Sequence, residues 1–285
     1  MRTMDAAPSP DETEAVPGAG LVRVAGGVRL RVEAKGGRSF AADLMERDGY
    51  KVRFPRGGAH PQAVIINTGG GLAGGDCIRQ EIDIGEGAAA TVATQASERV
   101  YRALGEATTK VDVRLALADA ARLDWLPQET ILFDRARLER SIEADMAASA
   151  RLLIAETIIF GRTAMGETVR TGLLRDRWRI RRGGKLVFAE NIRLEGPIAD
   201  TLAAAATAGG AHIVSTLLAV RQDADDLLAP VRAALQAADC ETGASAWNGL
   251  IVIRSLGRSG EGIRRMLERV VPLLSGAPLP RVWQT

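Results

Sequence analysis

AVIINTGGGLAGGD, residues 63–76, joins a short apolar run to five glycines within seven residues. The apolar run predicts a buried strand, and glycines this dense let another backbone or a ligand approach closely. Gly69, Gly71 and Gly74 also match G-x-G-x-x-G, a dinucleotide-binding pattern that requires a helix directly after the glycines. Here the glycines lead into Asp76, which would repel a phosphate, and then into CIRQEIDI, where apolar and polar residues alternate. That period of two predicts a second strand, so the stretch favours a strand–loop–strand unit.

The composition favours a globular, cytoplasmic protein. Hydrophobic residues make up 46% of the 285 residues, enough for one large domain or two small ones. With 37 basic and 35 acidic residues the net charge is +2, which gives no global field that favours nucleic acid. The two cysteines, Cys77 and Cys240, indicate a reducing compartment. We see no apolar signal-peptide core and no run near the ~20 residues of a membrane span, so we expect no membrane contact.

The N-terminus differs from the rest of the chain. Residues 1–20 contain prolines and acids without apolar periodicity, which predicts a disordered tail, followed by one β-rich domain over residues 21–285. From Leu21 onward short apolar-alternating stretches begin. We expect a hairpin at Gly26-Gly27 and a further break at Gly36-Gly37.

An internal repeat follows the glycine stretch. Residues 87–95 align with residues 120–128 at a period of 33, and a third copy fits at residues 149–157, 29 positions further on. Repeats of about this length that each supply a β segment predict stacked rungs, since one unit cannot cover its core alone. The fold class is therefore mainly β, with a β-helix-like stack of repeat rungs. An ordinary antiparallel sandwich with similar hairpins is the alternative.

Helical patterns come late in the chain, where we expect two or three α-helices in the C-terminal third. The alanine-rich residues 200–208 form one candidate, capped by Asp200 and ended by two glycines. Residues 223–238 form a second, although Pro230 shifts its start. A third carries an apolar face of period 3.6 from Ile263 to Leu274, and Ser259 is placed to cap it.

The chain lacks the usual motifs of covalent or acid–base catalysis. His60 and His212 stand far apart, and neither lies near a serine or cysteine in a nucleophile motif. Metalloprotease, C-x-x-C and nucleophile-elbow patterns are missing from the sequence. These features argue against an enzyme.

Carboxylates within apolar strands are the more informative residues. Glu129 follows the segment WLPQ, and Glu156 lies within LLIAETIIF. A carboxylate there is costly unless it is paired, hydrated or bound to a cation. If the repeats stack, these two side chains are expected to line one polar path. Pairing with Arg99 or Arg162 is the structural alternative. Further carboxylates lie at or just after the repeat strands: Glu98, Asp134 and Glu167.

The segment RDRWRIR, residues 175–181, predicts a strand with arginines on one face and Trp178 and Ile180 on the other. A solvated strand face is the commonest outcome of such a pattern. We expect the arginine face to meet an acidic protein partner. Its members are Arg175, Arg177, Arg179 and Arg181.

Several motifs occur together in one order. They are NTGGGLAGGD (67–76), ATQ (93–95) with VYR (100–102), WLPQETI (125–131) with FD (133–134), FGR (160–162) with MGE (165–167), and PRVW (280–283). In this combination, from about residue 21 to the end, the chain resembles the family of the urease accessory protein UreD, also called UreH. The linked G-G-x-x-G-G-D and L-P-Q-E-T motifs are specific to that resemblance.

The resemblance implies a β-helix-like fold and a non-enzymatic chaperone that delivers nickel to urease. It implies docking on apo-urease and on UreF, supply of nickel by the GTPase UreG through that assembly, and an internal tunnel for the ion. No tightly bound cofactor is implied, only nickel(II) in transit. The positions that match family motifs, and to which a role in the nickel path is carried over, are Asp76, Glu98, Gln128, Glu129, Asp134, Glu156 and Glu167.

Two other classes of protein stay open at this point. An NAD(P)-binding oxidoreductase that uses the Gly69–Gly74 motif would need a helix after Gly74. A β scaffold without any metal role would show no dependence on nickel.

Overall fold

The computed structural model describes residues 23–162 and 165–283. The predicted disordered tail, residues 1–20, lies outside these residues. Strands make up 51% of the described residues. In chain order they are β1 (Gly27–Lys35), β2 (Arg38–Arg47), β3 (Tyr50–Arg53), β4 (Gln62–Asn67), β5 (Cys77–Ile84), β6 (Ala89–Thr94), β7 (Glu98–Val100), β8 (Thr109–Leu117), β9 (Arg122–Leu126), β10 (Thr130–Leu132), β11 (Arg137–Met146), β12 (Arg151–Phe160), β13 (Gly172–Arg182), β14 (Lys185–Gly196), β15 (Ile213–Val220), β16 (Glu241–Trp247) and β17 (Leu250–Gly257).

The strands form two sheets. The first sheet has the order β14-β13-β11-β8-β5-β1-β2, and the main path of the second has the order β16-β17-β15-β12-β9-β6-β4-β3. Apart from the short strands β7 and β10, the chain from β4 to β13 passes alternately between the sheets. Neighbouring strands in the middle of each sheet run parallel. The short strands β7 and β10 extend the second sheet, because β10 pairs in parallel with both β7 and β12. The result is a β-solenoid-like stack of about four turns, which confirms the predicted fold class over the antiparallel sandwich.

The repeat periods found in the sequence equal the residue offsets between paired strands of the second sheet. Ala89 pairs with Arg122, an offset of 33 residues, along β6 and β9. Arg122 pairs with Arg151, an offset of 29 residues, along β9 and β12. Stacking equivalent residues at these offsets places each apolar side chain over its counterpart in the next turn.

Both ends of both sheets close with antiparallel strands. β2 and β14 flank the first sheet, each antiparallel to its neighbour. β3 closes one end of the second sheet, and β15, β17 and β16 close the other. Each of the four edges of the two sheets is therefore formed by a strand that is antiparallel to its neighbour.

The hydrophobic pattern of each strand follows the number of covered faces. β5 alternates because one face, with Ile78 and Ile82, meets the core between the sheets while the other faces solvent. β12 is buried along most of its length. Its second face packs on helices, in a separate cluster that includes Leu153, Val231 and Met266. Burial of both faces explains the near-continuous apolar run of β12.

The glycine stretch is a loop in which two backbones approach closely. Leu72 N–H donates to the Arg99 carbonyl at 2.7 Å, and Tyr101 N–H donates back to the Leu72 carbonyl at 2.9 Å. A Cβ on Gly71 would lie 2.5 Å from the Tyr101 ring. The stretch then continues into β5, so the predicted strand–loop–strand unit is present, and no helix follows the glycines.

The first predicted hairpin is displaced. Gly27 begins β1 instead of forming a turn, and a Cβ there would lie 1.8 Å from the Arg79 carbonyl oxygen of β5. The turn lies at Gly36-Gly37, between β1 and β2. The glycine pair at the start of β1 thus lets the backbones of the parallel strands β1 and β5 approach closely. A pair of glycines in the sequence is equally typical of a turn.

Between residues 197 and 283 the structure has three α-helices: α1 (Ile198–Ala203), α2 (Ala224–Leu235) and α3 (Gly260–Ser275). The predicted helix at residues 200–208 begins earlier and is shorter, and its N-cap is Pro197 instead of Asp200. α2 keeps Pro230 inside the helix. Ser259 caps α3 as predicted, because its side chain accepts from Gly262 N–H. In the described part of the chain, no helix has the length and apolar character to span a membrane.

Candidate metal path

A cavity of about 70 Å³ lies between the two sheets. That volume exceeds the roughly 10–15 Å³ that a cavity needs to hold one water. Most of the lining is apolar, which isolates a small set of polar side chains: Tyr50, Gln80, Thr94, Glu98, Gln128, Thr130, Arg140 and Glu156. Two of the candidate carboxylates therefore share one internal space.

A cleft of about 170 Å³ adjoins this cavity at the surface. Five residues line both spaces: Tyr50, Ile65, Gln80, Thr94 and Glu98. Ser97 and Arg99 line only the cleft. Glu98 and Gln80 thus lie where the outer cleft meets the interior.

Glu98 is partly buried and oriented by two donors. Asn67 Nδ2 donates to its Oε1 at 2.9 Å, and the Tyr50 hydroxyl donates to its Oε2 at 3.3 Å. Burial raises the pKa of Glu98 to about 6, and the donors Asn67 and Tyr50 oppose that rise. The side chain therefore gains and loses a proton close to neutral pH.

Glu156 is fully enclosed and pairs with Arg140. The Arg140 Nη1 donates to Glu156 Oε2 at 2.5 Å, and Trp125 Nε1 donates to Oε1 at 2.8 Å. Burial raises the pKa of Glu156, and the Arg140 charge acts against that rise. Arg140 lies on β11 of the first sheet and Glu156 on β12 of the second, so the ion pair crosses the core.

Arg140 has a second carboxylate partner on the neighbouring strand. Its Nε and Nη2 donate to the two oxygens of Asp176 at 3.0 and 2.6 Å. Trp178 Nε1 donates to Asp176 Oδ1 at 3.2 Å. Two buried carboxylates therefore share one guanidinium, and the fork to Asp176 persists without Glu156.

Glu129 does not line the cavity, and its side chain has two donors. Ser97 Oγ donates to Oε2 at 2.9 Å, and Arg264 Nη2 lies 3.3 Å from Oε1. The adjacent Gln128 does line the cavity, and its Nε2 donates to the Gln95 and Val282 carbonyls at 3.0 and 2.8 Å. The L-P-Q-E segment is thereby tied to α3 and to the C-terminal residues.

Asp76 holds the glycine loop together. Its two oxygens accept from Val24 N–H at 2.9 Å and from Ala73 N–H at 2.7 Å. The side chain is 3% exposed. Its carboxylate therefore stabilises the turn that leads into β5.

Asp134 and Glu167 form a separate surface group. Arg170 and Thr171 N–H donate to Asp134 Oδ1 at 2.8 and 3.2 Å. Burial alone would raise the pKa of Asp134, but the Thr171 and Arg170 donors outweigh it and lower the pKa. Arg162 Nε donates to Glu167 at 2.8 Å and lowers the pKa of that carboxyl. Neither residue lines the cavity.

The geometry separates the predicted carboxylates into three environments. Glu98 and Glu156 lie on the internal cavity, Glu129 lies beneath α3, and the remaining three stabilise loops. The arginines expected as structural partners, Arg99 and Arg162, pair with neither Glu129 nor Glu156; Arg264 and Arg140 do. A nickel role for any of the six stays a prediction.

The candidate carboxylates do not form a tight metal cage. Among residues 23–162 and 165–283, no group of three or more His, Cys, Asp or Glu side chains is arranged to hold a metal. Glu98 and Glu156 are the two carboxylates on the cavity, and their oxygens accept hydrogen bonds from Asn67, Tyr50, Trp125 and Arg140. Carboxylate oxygens are ligands for divalent cations, and here an ion would have to displace one of these donors.

The arginine face has the alternation predicted for it. Trp178 and Ile180 are buried on one side of β13, and Arg175 and Arg177 are exposed on the other. The face is not purely basic, because the neighbouring strand β11 places Glu139, Ser141, Glu143 and Asp145 beside the four arginines. Its role in partner binding stays a prediction.

Sequence reasoning did not identify Arg140, Asp176 or Gln80. Each stands on the apolar face of its strand, as Arg140 does between Leu138 and Ile142 in β11. A polar residue at such a position in a period-two pattern is the sequence feature that would have identified all three.

Comparison with known proteins identifies the family. The model of the UreD urease accessory protein family matches residues 24–284. The urease accessory protein UreD of Xanthobacter autotrophicus is 48% identical over 92% of this chain and 91% of its own length. UreD of a Methylobacterium species is 46% identical over 88% and 90%, and that of Azorhizobium caulinodans is 44% identical over 92% and 96%. The family name denotes an accessory role in urease maturation. The chain therefore belongs to the UreD family of urease accessory proteins.

Proposed function

We propose that this chain is a non-enzymatic chaperone of urease maturation that passes nickel(II) to the urease active site. In this role it is a scaffold between UreF and apo-urease, and UreG supplies nickel through UreF. Family membership supports the maturation role. The route of the ion and the identity of the partners are our proposal.

The observation that carries the conduit is the pair of carboxylates on one internal cavity. Glu98 lies where that cavity meets the outer cleft, and Glu156 lies on its inner wall. The surrounding apolar lining offers an ion few alternative ligands. Carboxylate, amide and water oxygens exchange readily on a divalent ion, whereas a His/Cys cage would retain it.

Arg140 lets Glu156 change partner without leaving an unpaired cation. The guanidinium keeps two hydrogen bonds to Asp176 when Glu156 turns towards an ion. Glu156 also keeps the Trp125 donor, which fixes one of its oxygens. The second oxygen, once released from Arg140, is the one that an ion would contact.

The remaining carboxylates have weaker support as ligands. Asp76, Asp134 and Glu167 accept backbone hydrogen bonds that stabilise loops. Glu129 is paired with Arg264. We retain a transient nickel contact as a prediction for each of them, and Glu129 is tested below together with Glu156.

Glu98→Gln tests the conduit directly. The substitution keeps the shape of the side chain and removes the negative charge. When urease is coexpressed with its accessory proteins, we expect the complex to assemble and the urease to contain less nickel, measured by elemental analysis. Glu261→Gln, at an exposed carboxylate in the first turn of α3 outside the cavity, is the matched control. Full nickel loading with Glu98→Gln would contradict the proposed route.

A further inference from the structure

The connections that lead from the second sheet to the first lie along one side of the stack. They are residues 68–76, 101–108, 133–136 and, in the part that the structure describes, 161–162 with 165–171. Backbone hydrogen bonds join each connection to the next. Tyr101 N–H donates to the Leu72 carbonyl at 2.9 Å, Ala103 N–H to the Arg135 carbonyl at 3.1 Å, and Arg135 N–H to the Thr171 carbonyl at 2.9 Å. We call this side of the molecule the turn face.

One residue from each connection contributes to a single column on the turn face. The Tyr101 ring lies against Gly71, where a Cβ would be 2.5 Å from the ring, and the Tyr101 hydroxyl donates to the Gly70 carbonyl at 2.8 Å. The Tyr101 and Phe133 rings meet edge to face with centroids 5.2 Å apart. The Arg162 guanidinium lies 4.3 Å from the centre of the Phe133 ring. Ring–ring and cation–ring contacts of this kind hold the connections at fixed positions.

The charged side chains of the turn face are sorted by sign. Asp134 and Glu167 accept from backbone N–H groups, and their side chains are only 15% and 18% exposed. Glu106 is exposed, but it is paired with Arg137 at 2.9 Å. The arginines of the same connections are all exposed to solvent: Arg102, Arg135, Arg162 and Arg170. The turn face therefore presents mainly positive charge to its surroundings.

Exposed apolar side chains accompany these arginines. Among the residues that the structure describes, the two most exposed large apolar side chains are Met165, at 73%, and Leu104, at 59%. Both belong to the turn face. Methionine and arginine are enriched in protein–protein interfaces, and grouped exposed apolar side chains mark interaction sites.

We propose that the turn face docks on a partner protein whose surface is acidic and partly apolar. This inference rests on the proposed function, because it gives the scaffold a surface by which it holds one of its partners. Docking would bury Leu104 and Met165 and bring the arginines onto carboxylates, which a guanidinium can bind with two parallel hydrogen bonds. Since the column already fixes the connections, little conformational freedom is lost on docking. The turn face is separate from the arginine face of β13, which lies on the outer side of the first sheet.

Recovery of UreF and urease by the full chain, after coexpression of the maturation proteins, tests the proposal. Arg102→Glu combined with Leu104→Asp reverses one charge of the turn face and adds another at its apolar part. We expect recovery of at least one partner to fall about tenfold or more, because like charges would then face each other across the interface. Added salt should reduce the loss, since it screens this repulsion.

Arg56→Glu combined with Leu273→Asp makes the same changes of charge elsewhere. Arg56 is exposed in the loop before β4, whereas the turn face begins after β4, and Leu273 is an exposed side chain of α3. This control should recover both partners as wild type does. Wild-type recovery of both partners by the turn-face variant would overturn the inference, and so would an equal loss in the control.

Two substitutions of Arg135 separate the role of the charge from any effect on folding. The ion pair between Arg135 and Asp134 is long, at 3.9 Å, and the Arg135 side chain is 57% exposed. Arg135→Lys keeps the charge and should retain the partner, whereas Arg135→Glu should weaken its recovery. Circular dichroism and the melting temperature of both variants should match wild type. If the two variants recover the partners equally well, the partner does not contact this charge and the inference fails.

Failure of the inference and failure of the proposed function give different results. If urease is fully loaded with nickel when the chain is left out of the coexpression, the proposed function fails and the inference with it. If the chain is required but the turn-face variant recovers both partners, only the docking surface is wrong. If that variant recovers both partners and loses binding of a single-stranded RNA, measured by fluorescence anisotropy, the turn face binds nucleic acid and the inference is overturned.

Discussion

Arg140 and Glu156 join the two sheets through the middle of the core. Their strands, β11 and β12, follow one another in the chain but belong to opposite sheets, and the ion pair is 5% exposed on each side. With Asp176 the group carries two carboxylates and one guanidinium. Removal of one member affects the others, because their charges are compensated only within the group.

Arg140→Met should strongly destabilise the fold. It leaves Glu156 and Asp176 buried without their cation, and breaking a buried pair in this way costs about 3–5 kcal/mol. Urea unfolding measures the change. Arg175→Met, which removes an exposed pair with Glu139, should cost no more than about 1 kcal/mol. Equal effects of the two substitutions would show that the internal ion pair has no special role.

The pH dependence of stability should report Glu98. Its folded pKa of about 6 lies above the ordinary value of 4.5, so the folded state binds the proton more tightly than the unfolded state. The resulting penalty is fully present above pH 6 and disappears as the pH falls below 4.5. At pH 7 it amounts to roughly 2 kcal/mol.

Glu98→Gln should therefore raise the free energy of unfolding at pH 7 and leave it nearly unchanged at pH 4. Urea titrations at the two pH values give the comparison. A variant that is less stable than wild type at pH 7 would contradict the assigned cause, which is burial of the charge.

Glu129→Gln combined with Glu156→Gln should leave the urease complex assembled and the urease short of nickel. Arg140 keeps its fork to Asp176 in this variant, so no buried cation is left unpaired. Pull-down reports assembly, and elemental analysis reports nickel. Normal nickel content would exclude both residues from transit, and failure to assemble would assign them a structural role.

Reversal of two charges on the arginine face should weaken partner binding. Arg177→Glu with Arg181→Glu removes two cations from β13, and added salt should shrink the difference from wild type because electrostatic attraction is screened. Pull-down of UreF and urease at two salt concentrations measures the effect. The same reversals at Arg38 and Arg47 on β2, the opposite edge of the first sheet, provide the control. Wild-type recovery of both partners would remove this face from the interface.

The sequence predicted the stacking but not the lateral contacts across the core. The periods of 33 and 29 residues became strand registers because parallel stacking repeats the same pattern in each turn. The partner of Glu156 could not be read in this way, since the reach of Arg140 depends on how the two sheets face one another. Asp176 lies in an arginine-rich segment that was interpreted by the arginines of its exposed face. The period of two nevertheless places Asp176 on the buried face.

The antiparallel strands at both ends of each sheet make the molecule a closed unit of fixed length. The last strand of a purely parallel stack has the same free edge as every strand inside the stack. A further parallel strand from another copy of the chain could pair with that edge, and the addition could repeat without limit. At β2, β14, β3 and β16 the chain direction is reversed, and the exposed edge no longer matches the edge of a parallel turn. The reversed strands thereby end the parallel repeat at each edge of the two sheets, while the internal stacking that surrounds the cavity is kept.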